Sequence, residues 1–340
     1  MHCEYCNVEE VVGVDFPIYD IDNLIDWLDR SDSNDICSIQ WHGGESLLLG
    51  YDYFFRIFVS QARYPSRFCN TVSTNGLLLD DKIIHLFAEN NVIIKTSLDN
   101  LDKAFDKQRN YSCEKVIASL NRLHEQEYKD VYVRTTVSSK NQAFLFDIYK
   151  FMCENYNFKW EFAPIVPTGL KKEQAFSLLP DSEPFRNSTI NIFNHWFEHY
   201  PVEIPFFTEM IKFKLGMSDP PEISQPRLNV GPDGIVYRCP LLIGNHKYEV
   251  NHYISNTTIK QLYQFDCVWK KISKVECQEC QYKRFCRLAS CAYLAVSLEG
   301  LDGYKDYFCQ LWKPIYDKIC ATVDRAVYTE EIHNLIKTNR

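Results

Sequence analysis

Between residues 14 and 165 the apolar positions switch repeatedly from a helical period to a strand period, which predicts a βα series on a parallel sheet. Ile21, Leu24, Ile25 and Leu28 share one helical face, and Ile36 to Trp41 follows as a short strand running into Gly43-Gly44. Tyr51 to Val59 reads as helix, and Asn70 to Ser73 as a strand ending in Thr74-Asn75-Gly76. Asp80 to Ala88 turns Ile83, Ile84 and Leu86 inward, and Asn91 to Leu98 is a buried strand. Ser112 is placed to cap a helix carrying Val116, Ile117, Leu120 and Leu123, and Val131 to Val137 alternates as a strand. Asn141 is expected to open the next helix, striped by Phe144, Ile148 and Phe151, before a strand from Trp160 to Ile165. Counted with a first strand expected ahead of Met1, the series is α/β: an incomplete (β/α)6 barrel of the TIM type.

The pattern then changes. Residues 167 to about 226 hold no clear strand, an aromatic-rich helical stretch around Ile190 to His199, and a Pro220-Pro221 break. From Leu228 a hairpin is predicted around Pro232-Asp233-Gly234, followed by a cysteine-dense region and a closing helix through Trp312 to Val327. The organisation expected is a partial barrel over 1–166, a bridging segment over 167–226 and a C-terminal unit over 227–340.

Composition narrows the function classes. With 46% apolar and 14% aromatic residues in 340, the chain can bury a substantial core. No apolar run is long enough for a membrane span and no charged-then-apolar leader is visible, so a cytoplasmic protein is expected. The net charge of -8 lacks a basic stripe, which argues against a nucleic-acid partner. The 14 cysteines, with two CxxC pairs and no signal peptide, suit metal or cluster binding better than disulfides.

Three features carry chemistry. Cys3-Glu4-Tyr5-Cys6 places two thiolates on a tight loop, a spacing shared by iron-sulfur and zinc sites. Trp41-His42-Gly43-Gly44-Glu45-Ser46 lies at the C-terminal end of a predicted strand, where parallel α/β folds build ligand sites. Its glycines admit a ligand close to backbone, and its carboxylate can accept from an ammonium group. Cys277-Gln278-Glu279-Cys280 with Cys286, Cys291 and Cys309 can supply a four-thiolate shell, for a structural zinc or an iron-sulfur cluster alike. Cys37, Cys69, Cys113, Cys153, Cys267 and Cys320 lie mostly in apolar patterns and read as packed thiols.

Together these stretches resemble the radical S-adenosylmethionine (SAM) superfamily, in the branch whose C-terminal SPASM-type domain accompanies peptide and protein maturation. Cys3 and Cys6 resemble the second and third ligands of the family's C-x3-C-x-aromatic-C loop, and Tyr5 its adenine-bordering aromatic. The first ligand would then fall two residues ahead of Met1, so the chain is expected to begin at an internal methionine. Gly43-Gly44-Glu45 resembles the GGE motif that holds the methionine amino group, with Ser46 where proline is usual. Ser73-Thr74-Asn75-Gly76 is similar to the TNG turn, so Asn75 joins the cofactor-binding set. Ser97-Leu98-Asp99 with Asp106 and Arg109 resembles the S-[IL]-D-G…D-x-x-R stretch, which implies that Ser97 and Arg109 contact SAM. By the same alignment Val166 offers backbone to the adenine.

Gly234-Ile-Val-Tyr-Arg-Cys239 resembles the G-x4-C opening of a SPASM region, and Cys277, Cys280, Cys286 and Cys309 its later ligands. The cofactors implied are a radical SAM 4Fe-4S cluster, SAM and one auxiliary 4Fe-4S cluster. A second auxiliary cluster lacks its upstream ligands, with Cys239 and Cys291 left as a remnant pair. Pro240 stands where sulfatase-maturing members carry a proposed aspartate base. The resemblance therefore implies an oxidoreductase that abstracts hydrogen from a ribosomally made peptide and installs a cross-link or related modification. A sulfatase-type maturase and a degenerate scaffold binding Fe-S or zinc are the alternatives. Partners implied are a peptide or protein substrate, an electron donor such as flavodoxin or ferredoxin, and a separate leader-peptide-binding protein. Gly43, Asn75, Ser97 and Arg134 would line the pocket, with His42 as a wall residue, and the aromatics of Tyr200 to Phe207 could meet the peptide.

Overall fold

The computed structural model describes residues 3–6, 16–17, 20–31, 36–102, 113–167, 172–217, 228–237, 243, 249–252, 279–282, 286 and 303–326. Five strands, β1 (Cys37–Trp41), β2 (Phe68–Ser73), β3 (Ile93–Ser97), β4 (Val131–Val137) and β5 (Lys159–Pro164), form one sheet in sequential order. All neighbouring pairs are parallel. A doubly wound sheet reverses its strand order at a switch point, and this one advances in a single direction, as an opened (β/α) barrel does.

Helices α1 (Ile21–Ser31), α2 (Gly50–Gln61), α3 (Asp81–Glu89), α4 (Cys113–Glu125) and α5 (Leu145–Asn155) precede or connect these strands. The alternation that predicted the strands divides them by face. Val72, Ile94, Val131, Val133, Val137 and Trp160 are buried with the inward residues of α2 to α5, among them Phe54, Phe87, Leu120 and Tyr149. Many of the intervening strand positions are polar, among them Ser73, Lys95, Ser97, Tyr132, Arg134, Lys159 and Glu161.

Two sequence expectations shift at their edges. The third strand starts at Ile93 rather than Asn91, because Asn91 takes a left-handed conformation with φ of 50° in the turn after α3. Asn141 does not open a helix with its side chain; a 3₁₀ turn over Gln142–Phe144 comes first, and α5 begins at Leu145. Ser112 lies outside the described residues.

The bridging segment is helical: α6 (Lys172–Ser177), α7 (Ser182–His199) and α8 (Pro205–Lys214). The Trp160 N–H of β5 donates to Glu203 O at 2.9 Å, so the segment also pairs with the sheet's last strand. The closing helix α9 (Tyr304–Ala326) packs on α7 and α8, with Trp312 set edge-on against Phe185 and Phe206. All three helices share the barrel's apolar core. The predicted hairpin is present as β6 (Asn229–Val230) and β7 (Ile235–Tyr237), to which β8 (Glu249–His252) adds antiparallel. Val236 packs with Leu24 and Trp27 of α1, which sets this small sheet beside Trp41.

Candidate functional site

Strand register arranges the polar face in rows. Ser73, Lys95, Tyr132 and Lys159 are successive partners across β2 to β5, and Ser97, Arg134 and Glu161 form the next row toward the C-terminal ends. Arg134 is exposed on this face and has no ion-pair partner among the described residues.

The loops after β1 and β2 are joined through one carboxylate. Glu45 Oε1 accepts from the Thr74 hydroxyl at 2.7 Å and from the Leu47 N–H at 3.1 Å, while Oε2 accepts from the Asn75 N–H at 2.7 Å. A carboxylate offers about four acceptor positions, so Oε2 retains one for a further donor. Gly43 and Gly44 complete this corner. Neither has positive φ, and a Cβ built on either would meet no atom within 4 Å. Among the described residues nothing packs closely enough to demand glycine here, and the open space suits backbone lying against a ligand.

Gly76 is different: its φ is 83° and a Cβ would come within 2.9 Å of Thr96 Oγ1. Its carbonyl accepts from the Ser119 hydroxyl at 2.7 Å, and its N–H donates to Thr74 Oγ1 at 3.1 Å. The glycine holds the turn that aims Asn75 N–H at Glu45.

The cysteine loop sits on the same end of the sheet. Cys6 N–H donates to Cys3 O at 3.1 Å, closing a tight turn with both thiols half-buried. Side chains fasten it: Tyr5 OH donates to Asp99 Oδ2 at 2.6 Å, and Glu4 pairs with Lys140. Asp99, two residues past β3, is buried, and its Oδ1 accepts from the Thr136 N–H of β4 at 2.7 Å. Asn141 Nδ2 donates to both Asp99 O and Thr136 O at 2.9 Å. The S-[IL]-D-G resemblance assigns Asp99 no role, and residue type alone makes Asn141 a helix opener. An aspartate directly after a strand whose partner strand ends in Thr-Thr-Val-Ser is the available signal, but register is needed to see it.

His42 stands at the rim, where crowding around its ring lowers its pKa and a side-chain hydrogen bond with Asn229 of β6 partly offsets that, although the residue keeps solvent access. Ser97 closes β3 opposite Arg134, and Val166 lies two residues past β5, partly buried.

The C-terminal thiols are less gathered. Cys280 and Cys286 pack on the core, and Cys309 lies on α9. No group of three or more His, Cys, Asp or Glu among the described residues is arranged to hold a metal ion. Arg109, Asp106, Cys239, Pro240, Cys267, Cys277 and Cys291 lie outside the described residues. The packed-thiol expectation fits Cys37 and Cys113, which are buried, and Cys153, whose thiol burial pushes up to about 11. The segment from Tyr200 to Phe207 is core rather than open surface, since Ile204 and Phe207 are fully buried.

Comparison with known proteins agrees with this geometry. Residues 1–140 match the model of the Radical SAM superfamily. A cysteine-type anaerobic sulfatase-maturating enzyme of Clostridium novyi is 25% identical over 309 residues, covering 83% of this chain and 80% of the relative. A serine-type anaerobic sulfatase-maturating enzyme of Bacteroides thetaiotaomicron is 24% identical over 333 residues, covering 84% and 78%. Among solved structures, native anSMEcpe with bound AdoMet superposes with a TM-score of 0.78 at 20% identity, covering 96% of this chain and 95% of that one. SuiB of Streptococcus suis bound to S-adenosylmethionine gives a TM-score of 0.64 at 13% identity, covering 88% and 71%. The Glu45 corner, the docked cysteine turn and strands β1 to β4 thus all fall within the stretch that matches the Radical SAM superfamily model, and the chain is similar to radical SAM enzymes over most of its length.

Proposed function

We propose that this enzyme matures a ribosomally made peptide by abstracting hydrogen from it and installing a cross-link or related modification. The observation that carries the reading is the Glu45 carboxylate, oriented by Thr74 and Asn75 with one acceptor position left beside two glycines in open space. That corner fits an α-amino group. Gly43 and Gly44 lay backbone along the ligand, Glu45 takes the ammonium, and Ser97 and Arg134 face the same opening. Arg109 and Val166 complete the SAM contacts in this reading, and Tyr5 borders the adenine.

Cys3 and Cys6, two half-buried thiols on one turn, would supply two of the thiolates that the 4Fe-4S cluster needs. When bound, the cluster and SAM supply reductive cleavage of the sulfonium and a 5′-deoxyadenosyl radical. The chain's own part is to orient SAM, exclude water and hold a substrate C–H beside that carbon. The polar rows on the open sheet face, with Lys95, Arg134 and Glu161, offer side chains to a peptide backbone. Cys277, Cys280, Cys286 and Cys309 are proposed to hold an auxiliary cluster that accepts an electron back or binds a substrate thiol, and a flavodoxin or ferredoxin to supply the first electron.

The likeness to SuiB, a chain also solved bound to precursor peptide SuiA, supports a peptide substrate. A sulfatase-type protein maturase, the activity that the relatives' names give, is the second reading, favoured by alignments that cover more than three quarters of this chain. Pro240 in the place of an aspartate base speaks for the first. The test is anaerobic reconstitution with iron and sulfide, then SAM and reductant, with 5′-deoxyadenosine measured with and without a short peptide encoded beside the gene. A cross-link would remove two hydrogens and block fragmentation between the joined residues. No 5′-deoxyadenosine from a preparation with confirmed iron and sulfide would overturn the reading.

A further inference from the structure

We infer that Asp99 is the positioning residue for the cysteine turn, setting its place on the barrel by gripping Tyr5 with one carboxylate oxygen and β4 with the other. The inference rests on the reading that this turn holds the cluster.

Among the described residues, 3–6 join no strand or helix, and side chains tie them to the barrel. Among the turn's anchors are Tyr5 on Asp99 and Glu4 on Lys140. The latter pair is half-exposed, with side-chain exposures of 32% and 39%, and solvent and salt weaken such pairs. Asp99 is 4% exposed, and its 2.6 Å contact with Tyr5 OH has the length of a charge-assisted bond. A buried carboxylate must be supplied with donors, and removing one leaves a charge short of a partner. The grip on Tyr5 is therefore the stronger of the two.

The anchor does not yield because it is itself bracketed. Thr136 N–H fixes Oδ1, and Asn141 clamps the Asp99 and Thr136 carbonyls with one amide group. Asn141 Oδ1 in turn accepts from the Ser138 N–H at 2.7 Å. The ends of β3 and β4 are locked to each other just beyond Ser97 and Arg134, register partners on the open face. One carboxylate thus ties the thiols to the strand ends that present the pocket's polar side chains.

The test compares Asp99→Ala, Asp99→Asn, Tyr5→Phe and the Tyr5→Phe/Asp99→Ala double variant. The readout is the alkylation rate of Cys3 and Cys6 in the reduced, iron-free protein, resolved by peptide mass spectrometry, with Cys69 and Cys153 as internal references. Losing a hydrogen bond to a charged group should raise the Cys3 and Cys6 rates about tenfold in Asp99→Ala. Tyr5→Phe should reproduce most of that, and the double variant should add little. Asp99→Asn should keep a slow rate, because its amide oxygen can still accept from Thr136 N–H while its NH₂ donates to the Tyr5 oxygen. After reconstitution, the variants that loosen the turn should lose cluster iron in the same order.

Rates within about threefold of the parent in both Asp99→Ala and Tyr5→Phe, or an additive double variant, would overturn the inference. So would an equal rise at Cys69 and Cys153, which marks general loosening. Tyr5→Phe removes only a hydroxyl from a half-buried side chain, so the test survives misfolding of Asp99→Ala. If the parent binds a cluster but these rates do not move, the inference fails and the functional reading stands. If the parent makes no 5′-deoxyadenosine yet the rates respond as stated, the reading fails and the anchoring is real.

Discussion

The hydroxyl of Thr74 donates to Glu45 Oε1 at 2.7 Å, across 29 residues of sequence. The bond joins the loop after β1 to the loop after β2, and with the Asn75 N–H it aligns the carboxylate before any ligand arrives. Preorganisation of this kind removes the cost of orienting the group at binding. It also makes Glu45 answerable to the turn that Gly76 shapes.

Glu45→Gln should weaken SAM binding by about 10- to 150-fold, the worth of one hydrogen bond to a charged group. The amide can present its oxygen to only one of the two donors at Thr74 and Asn75, so its NH₂ must face the other. Calorimetric titration of the reconstituted protein with SAM measures this, and unchanged affinity would remove Glu45 from the site. Thr74→Val should show a smaller loss in the same assay, since the Asn75 N–H remains.

Gly76→Ala should cost about 1–3 kcal/mol of stability. The residue has φ of 83°, and the added methyl would lie 2.9 Å from the buried Thr96 Oγ1. Urea unfolding of the variant against the parent reads the cost. Gly43→Ala is the contrast: with nothing within 4 Å of its Cβ and no positive φ, it should leave stability nearly unchanged and reduce SAM affinity.

These contrasts show what was legible in the sequence. Gly43 and Gly44 could be placed at a strand's C-terminal end from the hydrophobic period alone, because a buried strand announces itself by its own apolar residues. The five strands and their order follow from the same local signal. Partners brought together by register do not: neither Thr74 with Glu45 nor Asp99 with Thr136 can be read from spacing. Asn141 shows the limit most plainly. Its residue type suits a helix start, but the amide is taken by the two strand-end carbonyls, so α5 begins later, through a 3₁₀ turn. Phe207 lost its proposed peptide contact for a related reason, since aromatic density alone does not distinguish a groove from a core.

His42 gives a pH dependence whose sign follows from desolvation. Burial holds its folded pKa below the ordinary histidine value of 6.5, with the Asn229 bond opposing the shift without reversing it. As pH falls through 6.5 the unfolded chain takes up a proton that the folded one still refuses, so stability declines until the folded pKa is passed. Above that window the contribution is fully present. His42→Gln should therefore flatten the fall in unfolding free energy between neutral and mildly acidic pH, measured by urea titration at several pH values. A variant curve parallel to the parent's would show that His42 is unshifted.

Phe207→Ala should be among the most damaging single changes, at about 3–5 kcal/mol. The ring is fully buried on α8, with its centroid 5.2 Å from those of Phe193 and Trp196 and 6.1 Å from Phe162 of β5. It thereby joins the helices of the bridging segment to the sheet's last strand, and a cavity there loosens the wall beside Glu161 and Lys159. Glu209→Ala, exposed on the same helix, should fall within about 0.5 kcal/mol of the parent. Unfolding by urea separates the two roles for this segment. Were Phe207 a peptide contact, its loss would raise KM for the substrate and spare stability; as core it should lower stability first, with any kinetic change following the fraction folded.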